Sequence, residues 1–65
     1  MQVESSHIAD VDWEDGILRV SFVKGGVYEY QDVEIGLFKE FLLAPSKGEF
    51  FRQNVKGKYD YTRVG

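Results

Sequence analysis

The stretch that decides the fold is residues 17–30, I-L-R-V-S-F-V-K-G-G-V-Y-E-Y. Apolar and polar residues alternate in both halves, and a lysine with two glycines separates them, which predicts a β-hairpin. Because successive side chains on a strand point to opposite faces, Tyr28 and Tyr30 share one face. That face either packs into a core or stays open as a stacking platform.

The length of the hairpin loop decides between these alternatives. A two-residue loop would put Glu29 on the apolar face, whereas a three-residue loop over residues 24–26 sends it to solvent. In the second register Val20 lies opposite Tyr30, and Gly26 supplies the left-handed residue that such a loop needs. Since a slip of one residue moves every side chain to the other face, polarity favours the three-residue loop and tyrosines that belong to the core.

Outward from the hairpin, the sequence predicts one further strand, two helices and a tail. Residues 7–14 alternate apolar and acidic side chains and form the first strand of the sheet. Asp32 is predicted to cap a helix that runs to about Ala44, and S-K-G-E at residues 46–49 matches a capping box that opens a second helix. Residues 58–63 form an extended tail.

These elements predict an α+β fold in which a small three-stranded antiparallel β-meander packs against two short helices, with an extended C-terminal tail. The 65 residues form a single domain over residues 1–65, too small to bury a large core. No cysteine is present to add a disulfide, so aromatic residues must supply much of the stability. The predicted core consists of Val11, Trp13, Leu18, Val20, Phe22, Tyr28, Tyr30, Leu37, Phe38, Phe41, Phe51 and Val55.

Groups suited to catalysis or metal binding are sparse. His7 is the one histidine and has no cysteine partner. The acidic run over residues 10–14 resembles the start of a calcium-binding loop, but Asp15 stands where that loop needs glycine and Ser21 where it needs glutamate. We therefore expect a protein that is not an enzyme and has no metal site and no cofactor.

No membrane segment or leader is expected either. The longest apolar run without glycine is residues 41–44, far too short to cross a bilayer, and no signal-peptide pattern follows Met1. The expected location is the cytoplasm, and the absence of cysteine fits a reducing compartment.

The charges are distributed unevenly along the chain. Residues 1–46 hold nine acids and three bases, a net charge of −6, whereas residues 47–65 hold five bases and two acids, a net charge of +3. Cations beside aromatic rings are typical of surfaces that bind single-stranded nucleic acid. The candidate nucleic-acid-binding residues are Arg52, Lys56, Lys58, Tyr59, Tyr61 and Arg63. The alternative role for the tyrosines, a latch that holds the tail on the sheet, is favoured for Tyr59 and stays open for Tyr61.

Several spaced motifs resemble the KTSC domain family over about residues 3–64. They are, in order, Ser5-Ser6, a strand ending at Trp13, L-x-V-x-F at residues 18–22, G-x-Y-x-Y at residues 26–30, A-x-S-x-G at residues 44–48 and K-Y-x-Y at residues 58–61. That family occurs at the C-terminus of some lysyl-tRNA synthetases and as free-standing small proteins of bacteria and phages. Arg52 stands where the family commonly has asparagine, which strengthens the basic segment.

Two classes of function follow. The association with a tRNA-charging enzyme implies a nucleic-acid-binding module, with RNA or another single-stranded nucleic acid as partner. The alternative is a protein-interaction or host-modulating module that offers a sheet edge or its aromatic tail to a protein partner and binds no nucleic acid.

Overall fold

Within the residues that the structure describes, the fold consists of four antiparallel strands and two helices. The computed structural model describes Val3 and residues 5–65. The elements are β1 (Ile8–Glu14), β2 (Ile17–Phe22), β3 (Gly26–Tyr30), α1 (Ile35–Leu43), α2 (Lys47–Asn54) and β4 (Tyr61–Arg63). The strands form one sheet in the order β1-β2-β3-β4, and the helices contribute to a core on one of its faces. The α+β class is confirmed, whereas the expected strand number of three is wrong.

The fourth strand is the stretch that was predicted to be an extended tail. β4 pairs antiparallel with β3, so that Tyr61 lies opposite Tyr30 and Arg63 lies opposite Tyr28. Just before it, the Gln31 amide donates a hydrogen bond to the carbonyl of residue 60 at 2.8 Å. These bonds satisfy backbone groups of β3 that would otherwise lie at an unpaired sheet edge. A strand of three residues is too short to show a period of its own, and for this reason the sequence pattern did not reveal it.

The β2–β3 hairpin has the expected loop length, but its loop lies one residue earlier than predicted, which shifts the pairing of the strands by two residues. Val20 lies opposite Tyr28 rather than Tyr30, so the loop is residues 23–25, and Gly26, with φ of 93°, begins β3. An offset of two residues keeps each side chain on its predicted face, because the side-chain period along a strand is two. The prediction of faces therefore holds although the predicted pairs were wrong.

Gly26 also lies where the C-terminal residues run beside the hairpin. A Cβ atom at this position would lie 2.6 Å from the carbonyl oxygen of Gly65 and 2.9 Å from a terminal guanidinium nitrogen of Arg63. The neighbouring Val27 amide donates a hydrogen bond to the same Gly65 oxygen at 3.2 Å. The absence of a side chain at Gly26 thus allows the end of the chain to pack against the start of β3.

The core lies between the sheet and the two helices. Among the described residues, the buried apolar side chains are Ile8, Val11, Leu18, Val20, Tyr30, Val33, Phe41, Phe51 and Val55. The remaining members of the predicted core are half-buried against them, namely Trp13, Phe22, Tyr28, Leu37 and Phe38. Ile8 was not predicted because the pairing of β1 with β2 shifts between Ile8 and Asp10, and this irregularity places Ile8 on the same side as Val11.

The first helix begins later than predicted, and Asp32 does not cap it. Asp32 has a left-handed backbone with φ of 55°, and the N-cap is Glu34, whose side chain makes no capping hydrogen bond. Between them the backbone of Val33 is held at both ends: its amide donates to the Gly16 carbonyl at 2.8 Å, and its carbonyl accepts from Trp13 Nε1 at 2.8 Å. These bonds fix the segment against the β1–β2 turn, so helical backbone starts only after it.

The second helix agrees closely with its prediction. Ser46 Oγ accepts a hydrogen bond from the Glu49 amide at 3.3 Å, as the first half of a capping box requires. Phe51 and Val55, four residues apart, are both buried, and Gly57 follows with φ of 79°. Neither α1 nor α2 is long and apolar enough to cross a membrane, and no other helix occurs in residues 5–65.

Candidate nucleic-acid interface

An aromatic groove opens between the β2–β3 loop, strands β2, β3 and β4, and the C-terminal end of α2. It encloses about 340 Å³. Its lining is formed by Phe22, Gly25, Tyr28, Tyr30, Phe51, Lys56, Gly57 and Tyr61, and we call this site the aromatic groove. The lining holds one cation and no carboxylate.

The rings of the aromatic groove form one connected cluster. The centroid of the Tyr61 ring lies 5.6 Å from that of Tyr28 and 5.5 Å from that of Tyr30. Phe22 lies 5.7 Å from Tyr28 and 5.1 Å from Phe51, and Tyr30 lies 5.6 Å from Phe51. All but one of these pairs meet edge to face, which is a favourable aromatic geometry. The walls of the groove are therefore held in place by one another.

Pairing of β4 with β3 brings Tyr61 and Arg63 to the groove. These two residues lie opposite Tyr30 and Tyr28, and alternate residues of a strand share a face. The guanidinium carbon of Arg63 lies 5.8 Å from the centroid of the Tyr28 ring, within the range of a cation–π contact. Arg63 Nε also donates a hydrogen bond to the Gly65 carbonyl at 3.0 Å. Both side chains remain exposed, Tyr61 by 59 %.

Lys56 brings a second cation to the groove from the α2 side. Its amide donates to the Phe51 carbonyl at 2.9 Å, so its backbone is fixed to the last turn of the helix. Its side chain lines the groove and is exposed. Within the described part of the chain, neither Lys56 nor Arg63 forms an ion pair. Both are thus available to an anionic ligand.

The other three predicted residues lie elsewhere. Arg52 forms an ion pair with Glu49 one turn earlier in α2 and lines a separate cleft. Lys58 lines another cleft together with Asp32 and Asp60 and is not part of the groove lining. Tyr59 is half-buried and packs against the core, as expected of a latch. Of the six candidates, the structure therefore brings together Lys56, Tyr61 and Arg63.

Four residues that line the aromatic groove were predicted as core residues, with a stacking platform as the alternative for the two tyrosines: Phe22, Tyr28, Tyr30 and Phe51. Their second role depends on β4, because the exposed ring that completes the groove belongs to that strand. The recurrence of tyrosine at alternate positions in residues 28–30 and 59–61 is the signal in the sequence that could have linked the two segments.

A larger cleft of about 630 Å³ surrounds the start of α2. It contains Ser5, Ser6 and His7 on one side and Ser46 and Lys47 on the other. The hydroxyl of Ser5 accepts from the His7 amide at 3.2 Å, and no side-chain hydrogen bond joins the imidazole to a serine within the described residues. In the same part of the chain, no group of three or more metal-ligating side chains is found. The cleft thus contains no paired nucleophile and base.

The face of the sheet away from the helices is acidic. Arg19 lies between Asp12 and Glu29 across three strands, and its Nη2 atom donates to Glu29 Oε2 at 2.6 Å. The Glu29 carboxylate raises the pKa of Arg19 above its usual value. Asp10 and Glu14 lie on the same face by alternation along β1. Acids thus outnumber cations on the open sheet face, whereas the aromatic groove has cations and no acid in its lining.

Burial sets the ionisation of the tyrosine at the base of the groove. Together with the neighbouring Tyr61 and Tyr28, it raises the pKa of Tyr30 to about 12, from an ordinary value near 10. Because the folded state favours the neutral phenol, the resulting stability is fully present below about pH 10 and is lost as pH rises from about 10 to about 12. We expect the urea midpoint of unfolding, followed by Trp13 fluorescence, to fall over this window. Tyr30→Phe should reduce that fall.

Other groups also titrate at high pH. The quantity to compare is therefore the difference in the fall of the urea midpoint between the parent protein and Tyr30→Phe. Tyr59→Phe is the matched control, because it also removes a tyrosine hydroxyl, but Tyr59 is not among the groups that raise the pKa of Tyr30, so this variant should keep the fall of the parent protein. Equal pH dependence in Tyr30→Phe and the parent would contradict the prediction.

The chain is similar to known proteins along nearly its whole length. The profile of the KTSC domain matches residues 4–59. The chain is 35 % identical over 66 residues to a lysine–tRNA ligase of Trichormus variabilis, which covers 98 % of this chain and 12 % of the ligase. It is 36 % identical over 47 residues to a lysine–tRNA ligase of Nostoc sp., which covers 72 % of this chain and 8 % of that ligase. The chain thus corresponds to a small part of these enzymes.

A solved structure shows the same fold. The crystal structure of a KTSC domain protein from Yersinia pestis matches with a TM-score of 0.97 and 33 % identity, covering 100 % of this chain and 94 % of that one. The match includes Tyr61 and Arg63, which lie beyond the residues matched by the family profile. Sequence and fold agree, and the chain belongs to the KTSC domain family.

Proposed function

We propose that this domain is a non-catalytic binding module for RNA that uses the aromatic groove and its two cations. The observation that carries the proposal is the exposed ring of Tyr61 in a groove that Lys56 lines and whose Tyr28 ring Arg63 contacts, two cations without ion-pair partners in the described residues. Stacking on an aromatic ring together with cationic contacts to phosphate is a common way of holding single-stranded nucleic acid. The names of the two lysine–tRNA ligases support tRNA as the class of ligand.

The charge distribution supports binding at the groove rather than over the whole surface. With a net charge of −3, the protein as a whole repels a polyanion, and the acidic sheet face repels it most. An RNA strand would therefore approach with its phosphates toward Lys56 and Arg63. A cytoplasmic location, the expected one, is also where charged tRNA is used.

The test is the binding of fluorescently labelled tRNA and of an unstructured RNA oligonucleotide, measured by anisotropy at several salt concentrations. If the protein contacts two phosphates of a single strand, a plot of the logarithm of the association constant against the logarithm of the salt concentration should have a slope of about −1.4, because each contact contributes about −0.7. His7→Ala should bind as the parent does, because His7 lines a different cleft. Failure of both RNAs to bind at low salt would contradict the proposal.

A protein ligand is the second candidate, and one observation favours it. β4 is the last strand of the sheet, so its outer edge can accept an added strand from a partner. A module that modulates a host process could bind its protein target in the same way. A protein that binds no RNA, but whose β4 amides are protected from hydrogen exchange by a captured partner, would support it.

A further inference from the structure

We propose that the aromatic groove admits one unpaired base, which stacks on Tyr61, so that the domain selects single-stranded over double-stranded RNA. This inference rests on the proposed function, since it specifies which part of an RNA enters the site. Its basis is the size, ring geometry and charge of the groove.

The groove is large enough to admit a base. Its volume of about 340 Å³ is near the lower limit of small-molecule sites, which enclose about 300–1,000 Å³. A paired base is stacked between its neighbours and cannot reach a concave site, so the base that enters must be unpaired or turned out of its helix. The groove therefore distinguishes single-stranded from double-stranded RNA.

Tyr61 is the ring best placed to stack on that base. Tyr30 is 5 % exposed and Phe51 9 %, so both are committed to the core, whereas Tyr61 is 59 % exposed. Contacts with Tyr28 and Tyr30 and the pairing of β4 hold the Tyr61 ring before a ligand arrives. Little side-chain entropy remains to be lost on binding, which favours this ring as a preformed stacking surface.

The charges around the groove favour a polyanion over an apolar or basic peptide. Lys56 lines the groove, Arg63 lies over the Tyr28 ring, and no acidic side chain belongs to the lining. A base in the groove carries a phosphate on each side of its sugar, and the two cations can contact those phosphates. A strand lying across the groove thus satisfies both the rings and the cations.

The experiment compares an unstructured RNA oligonucleotide that contains one 2-aminopurine with the same oligonucleotide in a duplex. The parent protein should bind the single strand more tightly and quench the 2-aminopurine fluorescence, because stacking on an aromatic ring quenches it. Tyr61→Ala should weaken single-strand binding by about 5- to 150-fold, the range of stacking energies measured for aromatic side chains. Tyr61→Phe keeps the ring and should restore binding.

Leu43→Ala is the matched control for loss of an exposed apolar side chain, because Leu43 is 84 % exposed on α1 and lies outside the groove. Trp13 fluorescence reports whether each variant is folded. Equal affinity for single strand and duplex, with no effect of Tyr61→Ala, would overturn this inference and leave RNA binding intact. If neither RNA binds the parent protein, the proposed function fails and this inference with it.

Discussion

Replacing Phe41 with alanine should leave the domain largely unfolded at 25 °C. Phe41 is completely buried, and its ring centroid lies 5.1 Å from that of Phe50, so it joins α1 to α2 and both helices to the core. Phe→Ala changes in protein cores cost about 3–5 kcal/mol. At about 0.05–0.15 kcal/mol per residue, a domain of this size has a total stability of only about 3–10 kcal/mol. The loss is therefore comparable to the whole free energy of unfolding.

The measurement is urea unfolding followed by circular dichroism and by Trp13 fluorescence. Trp13 is suited to this purpose because it is the one tryptophan, and its Nε1 hydrogen bond to Val33 exists only in the folded chain. Leu43→Ala, two residues away on the exposed side of α1, should change stability by less than about 0.5 kcal/mol. Similar midpoints for Phe41→Ala and Leu43→Ala would show that the core is not organised as described.

The parts of the fold that could be predicted are those with a strong local period or a local hydrogen bond. Alternation in β2 and β3 placed each residue on its correct face even though the register was displaced by two. The Ser46 cap and the apolar pair Phe51 and Val55 defined α2, because both signals lie within the helix or at its caps.

The missed features depend on contacts between distant segments. β4 forms because the edge of β3 offers backbone hydrogen-bond partners, and a sequence of three residues is too short to indicate this pairing. The predicted cap at Asp32 failed because Val33 is bonded to the β1–β2 turn and to Trp13, which delays the start of α1. The helix propensity and capping preference of the residues near α1 could not reveal these long-range hydrogen bonds.

Prediction of the candidate site was limited in the same way, because the site is built from segments that are distant in the sequence. Counting charges after residue 46 found the cations of the groove but also included Arg52 and Lys58, because a count along the chain does not report the side of the molecule. The position of Lys56 follows from the last turn of α2, whereas that of Arg63 follows only from β4. The family resemblance, which rested on spaced motifs along the chain, was confirmed.

Reversing both groove cations, Lys56→Glu with Arg63→Glu, should abolish RNA binding without unfolding the domain. Both side chains are exposed, so the core is unaffected. A charge-assisted hydrogen bond contributes about 1.5–3 kcal/mol, so loss of two should cost at least about 3 kcal/mol, on the order of 100-fold in affinity. The introduced carboxylates would also repel phosphate. The salt dependence of the affinity reflects the number of phosphates that the protein neutralises. Any residual binding by this variant should therefore no longer depend on salt.

The matched control is Lys39→Glu with Arg52→Glu, which changes the net charge from −3 to −7 as the groove variant does. Lys39 lies on α1, and Arg52 is paired with Glu49 beside a different cleft, so neither cation lines the groove. If binding depends on the position of the cations, the control keeps most of the parent's affinity at low salt, while the groove variant shows none. Equal losses in the two variants would mean that RNA responds only to overall charge, and the aromatic groove would then no longer be the binding site.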